Sequence, residues 1–111
     1  MFPSFFYKIN SLELSGNGTV DIDCKSNFAT IAEIEATGNV TVNLINNNNL
    51  KFLFLFSKQD GIGGHTFSFS SAFKLSTPAP IQNTNVGDMD SWYFVLSNGK
   101  FRLSSFSDKV Q

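Results

Sequence analysis

Charge is what this sequence has least of. Of its 111 residues only 15% are Asp, Glu, Lys or Arg, against about 25% in an ordinary soluble domain. The net charge is −1, and Lys8, Lys25, Lys51, Lys58, Lys74, Lys100, Arg102 and Lys109 are scattered along the chain. With no basic block there is no long-range attraction to a phosphate backbone, so no nucleic-acid partner is expected. A single cysteine, Cys24, excludes an internal disulfide and offers no zinc site; in phase with Val20 and Ile22 it reads as a small core residue. No stretch approaches the roughly 18 apolar residues of a membrane span. The apolar start, Met1-Phe-Pro-Ser-Phe-Phe-Tyr-Lys8, lacks the basic leader and length of a signal peptide, which points to folding in a reducing cytoplasm. Asn17 and Asn39 match the glycosylation pattern, and without a sign of secretion they read as coincidence.

Phenylalanine is what the chain has in abundance. There are 13, beside one Trp and two Tyr, and 41% of residues are hydrophobic. High Phe with low charge favours a chain that hides surface in an assembly; a Phe-rich core inside a Ser/Asn-coated monomer is the plainer alternative. The length suits one domain with one core.

The apolar residues alternate. Val20, Ile22 and Cys24 share one face, as do Val40, Val42 and Leu44, and Phe67 and Phe69 resume the pattern after a glycine-rich punctuation at Asp60–Gly64. Phe28–Ala36 has helical propensity, yet Ala32, Ile34 and Ala36 also alternate and run through Thr37-Gly38-Asn39 into the next strand, so it reads as β. Asn46–Asn49 reads as a hairpin loop and Asn98-Gly99 as a type I′ turn. Pro78 and Pro80 break the ladder, and Ile81–Asp90 reads as a long polar connection. About eight short strands with no helix and no internal repeat predict an all-β fold, an antiparallel β-sandwich of jelly-roll type. Residues 16–107 form the module, 108–111 a tail and 1–15 an N-terminal arm or an edge strand.

One strand stands apart. In Leu50–Phe56, Phe52, Phe54 and Phe56 take one face while Leu53 and Leu55 take the other, so both faces want cover. Phe52 and Phe54 are assigned to a shared core with Trp92, Phe94 and Phe101. Leu53 and Leu55 are left for an interface between copies, because soluble monomers seldom expose large apolar patches.

No catalytic constellation emerges, and no enzyme activity is expected. His65 has only Ser68 and Ser70 as nearby hydroxyls, with no nucleophile-elbow motif. The carboxylate pairs Asp21/Asp23, Glu33/Glu35 and Asp88/Asp90 are spaced so that alternation alone sends each pair to solvent. Asp60-Gly-Ile-Gly63 and Gly87-Asp-Met-Asp90 lack the spacing of a calcium loop. No metal or cofactor is expected.

The order of these pieces is familiar: a Gly-Asn-Val-Thr-Val strand, an apolar strand, Lys58-Gln-Asp-Gly-x-Gly-Gly64, an alternating Thr-Phe-Ser-Phe strand, then Trp92-Tyr-Phe-Val-Leu96, Ser97-Asn-Gly99 and a last strand. Over roughly Gly18–Phe106 this resembles a β-module of tailed-bacteriophage virion proteins: head-fibre, capsid-decoration and tail-fibre proteins. The resemblance implies a virion location, contacts with other virion proteins such as capsid proteins, and a homotrimer, since such modules commonly assemble threefold. A start at Met1, the absence of a repetitive shaft and an end soon after the domain fit a head-fibre or decoration protein better than a tail fibre. Phe2, Phe5 and Phe6, beside Pro3, are then the expected virion anchor. The alternative is a carbohydrate- or receptor-binding module of a phage fibre, in which Trp92 or Tyr93 would stack on a host-surface glycan.

Overall fold

The computed structural model describes residues 9–110. Phe2, Phe5 and Phe6, the expected anchor, lie outside them. Among the described residues the chain is all-β, with no helix and seven strands: β1 (Asn10–Asp23), β2 (Ala29–Ile45), β3 (Phe52–Gln59), β4 (Phe67–Phe69), β5 (Phe73–Lys74), β6 (Met89–Ser97) and β7 (Lys100–Ser107). They form one curled sheet in the order β1-β2-β3-β6-β7-β5, with β4 also on β2.

The pairing corrects the expected architecture. β1 and β2 run parallel, as do β2 and β3, β2 and β4, and β5 and β7; only β3–β6 and β6–β7 are antiparallel. The sheet is therefore mixed, not the uniformly antiparallel sheet of a jelly-roll sandwich. Three rungs stack instead, each bent in the middle. β1 bends at Gly16–Gly18, where its register on β2 shifts, and β2 bends beside it at Thr37-Gly38-Asn39. The third rung is β3, the loop Asp60–Thr66 and β4. Gly38 is required by this stacking: a Cβ there would sit 2.9 Å from the Cβ of Asn17.

The bend brings the ends of a rung together. Asn10, at the start of β1, donates its side-chain amide to the Asp23 carbonyl at its end (2.8 Å) and to Thr30 Oγ1 (3.3 Å). Because each rung closes on itself, a short corner suffices to begin the next one parallel to it. The corners stack too, with Cys24 N–H donating to Ile45 O, Ser26 N–H to Asn46 O, and Lys51 N–H to Phe28 O. Asn46–Asn49 is thus a rung corner and not a hairpin, with Asn46 at φ 51° and its amide on Asp23 Oδ1.

Parallel register stacks like on like. Inward residues form the columns Leu12–Ala32–Leu55, Leu14–Ile34–Ser57 and Val20–Val42–Phe69. β6 and β7 continue the layer, placing Phe94 beside Leu53 and Trp92 beside Leu55. Phe69, Phe73, Trp92, Phe94 and Phe106 then meet ring on ring, with centroids 4.6–5.4 Å apart in the closest pairs. Trp92 donates its indole N–H to Ser57 Oγ at 2.8 Å, so its polar group is satisfied inside the core.

β3 faces the other way from the expectation. Leu53 and Leu55 are 0% exposed, inside the chain's own core, while Phe52 and Phe54 are 38% and 44% exposed. Trp92, Phe94 and Phe101 are buried, in line with the sequence reading. Leu53 and Leu55 cannot form an interface between copies, since no surface of either remains free. Leu55→Ala should cost about 2–5 kcal/mol, whereas Phe54→Ser should cost less, because nearly half of that ring already lies in water. Urea denaturation of the two variants checks the order, and the reverse order would place the phenylalanines inside.

Candidate functional site: an aromatic outer face

The side of β3 turned away from the core carries the most conspicuous surface of the described residues. In a strand, alternate residues emerge on opposite sides, so filling the core with Leu53 and Leu55 forces Phe52, Phe54 and Phe56 outward. The register sets Ala29, Phe52 and Val95 in one outer row, Ile31, Phe54 and Tyr93 in the next, and Glu33, Phe56 and Ser91 in the third. Phe54 and Tyr93 stack with centroids 4.4 Å apart and planes 25° apart. Phe52 lies diagonally against Tyr93 at 6.5 Å, and Phe28 meets Phe52 edge-on at 6.3 Å. Phe28 is itself 42% exposed. Four rings thus form a contiguous apolar strip across the corner before β2, β3 and β6. Carboxylates of Glu33 and Glu35 flank it on β2, and Arg102, opposite Val95, flanks it on β7.

The sequence reading missed this face because Phe and Leu are equally apolar. The lysines do not decide it either, since Lys58 shares the parity of the phenylalanines while Lys51 shares that of Leu53 and Leu55. Of the two residues assigned to a glycan contact, Trp92 is 1% exposed and offers no ring to a ligand. Tyr93 does lie on the outer face, half-buried, with its ring stacked on Phe54.

The other polar candidates hold loops. Asp60 Oδ1 accepts the N–H groups of Ile62 and Gly63 and lies 3.0 Å from His65 Nε2. These bonds hold the Asp60 carboxyl below its ordinary pKa, the two backbone N–H groups first and His65 after them. The side chain of buried Gln59 spans the same loop, donating to His65 O and accepting from His65 N–H. Gly63, at φ 72°, lies under the 84–86 segment, where a Cβ would approach Thr84 O to 2.9 Å. Gln82 pairs with both backbone groups of Phe67 in the manner of an added strand. The Ser68 hydroxyl is bonded to Thr41 and to the Val40 carbonyl and makes no hydrogen bond to His65. Among the described residues no three His, Cys, Asp or Glu side chains converge to hold a metal.

Asp90 corrects the expectation that each carboxylate pair points to solvent. It is 1% exposed, in phase with Trp92, and accepts the N–H groups of Asn83 (2.9 Å) and Lys109 (3.2 Å). Burial raises its pKa despite those two bonds, which act in the opposite direction. A raised folded-state pKa adds stability that is complete below the unfolded value, about 3.9, and lost as pH rises through the folded value. Asp60 and Asp23 carry lowered values, so their contribution holds above about pH 4 and fades below it. Stability should therefore increase as pH falls through the raised Asp90 value toward about 4, and decline below that. Denaturation midpoints across that range check this, and Asp90→Asn should remove the rise and leave the acid decline.

No family model matches the chain, and no curated protein or solved structure matches it.

Proposed function

We propose that this chain is a non-enzymatic structural protein of a tailed-phage virion, a head-fibre or capsid-decoration component that seats its aromatic outer face on another virion protein. The exposed strip of Phe28, Phe52, Phe54 and Tyr93 carries this reading. Aromatic side chains held rigidly in water are costly for a monomer and are the usual anchors of protein contacts, where a few such rings supply most of the affinity. Their support is stiff: β3 is hydrogen-bonded on both edges, to β2 and to β6, so the rings are preorganised and little ordering is needed on docking. The resemblance to phage virion modules supplies the setting.

A protein surface fits this face better than a glycan. Sugar stacking needs a free aromatic face, and Tyr93 already lies against Phe54 while Trp92 is inside the core. The expected interface between copies rested on Leu53 and Leu55, and its threefold order on the resemblance; with both leucines buried, self-association must use another surface. Phe2, Phe5 and Phe6 remain a proposed second attachment.

Particles assembled with the wild-type chain or with Phe52→Ser plus Phe54→Ser, then purified and quantified by mass spectrometry, test the reading. The wild-type chain should copurify. The double variant, folded by circular dichroism, should fall in occupancy by roughly tenfold or more, the effect of losing hot-spot aromatics. Equal occupancy of the two, or no wild-type chain on the particle, contradicts it.

A further inference from the structure

The first rung is unfinished. β1 spans 14 residues at one end of the sheet and, among the described residues, pairs only with β2. Its outer edge therefore presents a row of backbone N–H and C=O groups of the kind that templates further pairing. The core is open there as well. Leu12, Leu14 and Val20 are only partly buried, while the residues below them in the columns, Ala32, Ile34 and Val42, are 0% exposed. The opposite edge, β5, has two residues and offers no comparable template. Two of the usual devices that blunt an edge are missing, since β1 contains no Lys and no Pro.

We propose that β1 pairs antiparallel with β1 of a second copy about a twofold axis through the Gly16–Gly18 bend. The shape of the rung favours this occupant. Its two arms, Asn10–Gly16 and Gly18–Asp23, are of similar length, and its ends meet at Asn10 and Asp23. A closed contour of that kind, turned over onto a copy of itself, runs antiparallel along both arms. Charge then selects the register. Centred on Gly16, the pairing sets Leu12 beside the second copy's Val20 on the inner face, and Glu13 beside its Thr19 and Ser11 beside its Asp21 on the outer face. A shift of one pair toward the C-terminus places Glu13 against Asp21, and like charges directly opposite are destabilising. A shift the other way sets Glu13 against Asn17 but leaves Leu12 and Leu14 facing only Gly18 and Gly16. The Gly16-centred register keeps the apolar residues inward, sets Leu12 on Val20 and opposes no carboxylates. It would close the core with a fourth layer and satisfy the free edge. This pairing does not depend on the virion reading.

Thr19 is exposed and lies on the outer face, so changing it leaves the core of each copy untouched. Sedimentation equilibrium of the full 111-residue chain should show a dimer at tens of micromolar. Thr19→Lys, facing Glu13, should tighten the dimer and Thr19→Asp should loosen it, each by roughly two- to thirtyfold because the pair occurs twice per dimer. Amide exchange should slow along β1 as concentration rises. A monomer at these concentrations overturns the proposal, whether β1 is then bare or covered by residues 1–8. A dimer indifferent to both Thr19 substitutions overturns it equally.

Discussion

The hydrogen bonding of one bent rung onto the next, in parallel and in register, is the constraint on which the rest of this structure depends. Parallel strands stacked in register preserve side-chain parity, so whatever points inward in one rung lies on the inward residue of the next. The core is therefore a set of columns. Within a column the sizes complement one another, with Leu12 and Leu55 on either side of Ala32, while Gln59 follows Ala36 and turns its amide to the loop backbone. The bends must coincide as well, which is why Gly38 lies against Asn17 with no room for a side chain between them.

The β6–β7 hairpin ends this stacking and supplies most of the aromatic mass of the core. Its antiparallel pairing with β3 brings Trp92 and Phe94 beside Leu55 and Leu53, and its far side reaches Phe73 through β5. Once both inner leucines of β3 are committed to this hairpin, the phenylalanines between them have only the outer face to occupy. The surface aromatic strip and the buried aromatic cluster are thus two consequences of one strand parity. Tyr93 and Trp92, adjacent in sequence, belong to different worlds for the same reason: one ring is stacked at the surface, the other is bonded to Ser57 in the core.

Much of the local structure was legible in the sequence, and the long-range pairing was not. The alternation of Val40, Val42 and Leu44, the strand nature of Ala32–Ala36 against its helical propensity, and the Asn98-Gly99 turn all follow from periodicity and turn chemistry. Both turn residues have positive φ, 53° and 78°. Parallel pairing was hidden because Cys24–Phe28 and Asn46–Lys51 have the length and composition of hairpin loops. They can link parallel rungs only because each rung folds back on itself, and the Gly16–Gly18 bend that allows this looks like any β-turn. The face of β3 was hidden because Leu and Phe weigh equally in a hydrophobic pattern. Asp90 was misplaced because a carboxylate in a polar stretch gives no sign that Asn83 and Lys109 will bring their backbone to it.

Hydroxyl-radical footprinting of the chain, free and on the proposed phage particle, tests most directly whether one face of β3 builds the core and the other is kept for a protein partner. Phe52, Phe54 and Tyr93 should be oxidised in the free chain and protected on the particle, while Leu53 and Leu55 stay unmodified in both. Leucines that react in the free chain, or aromatic rings equally reactive in the two states, would contradict it.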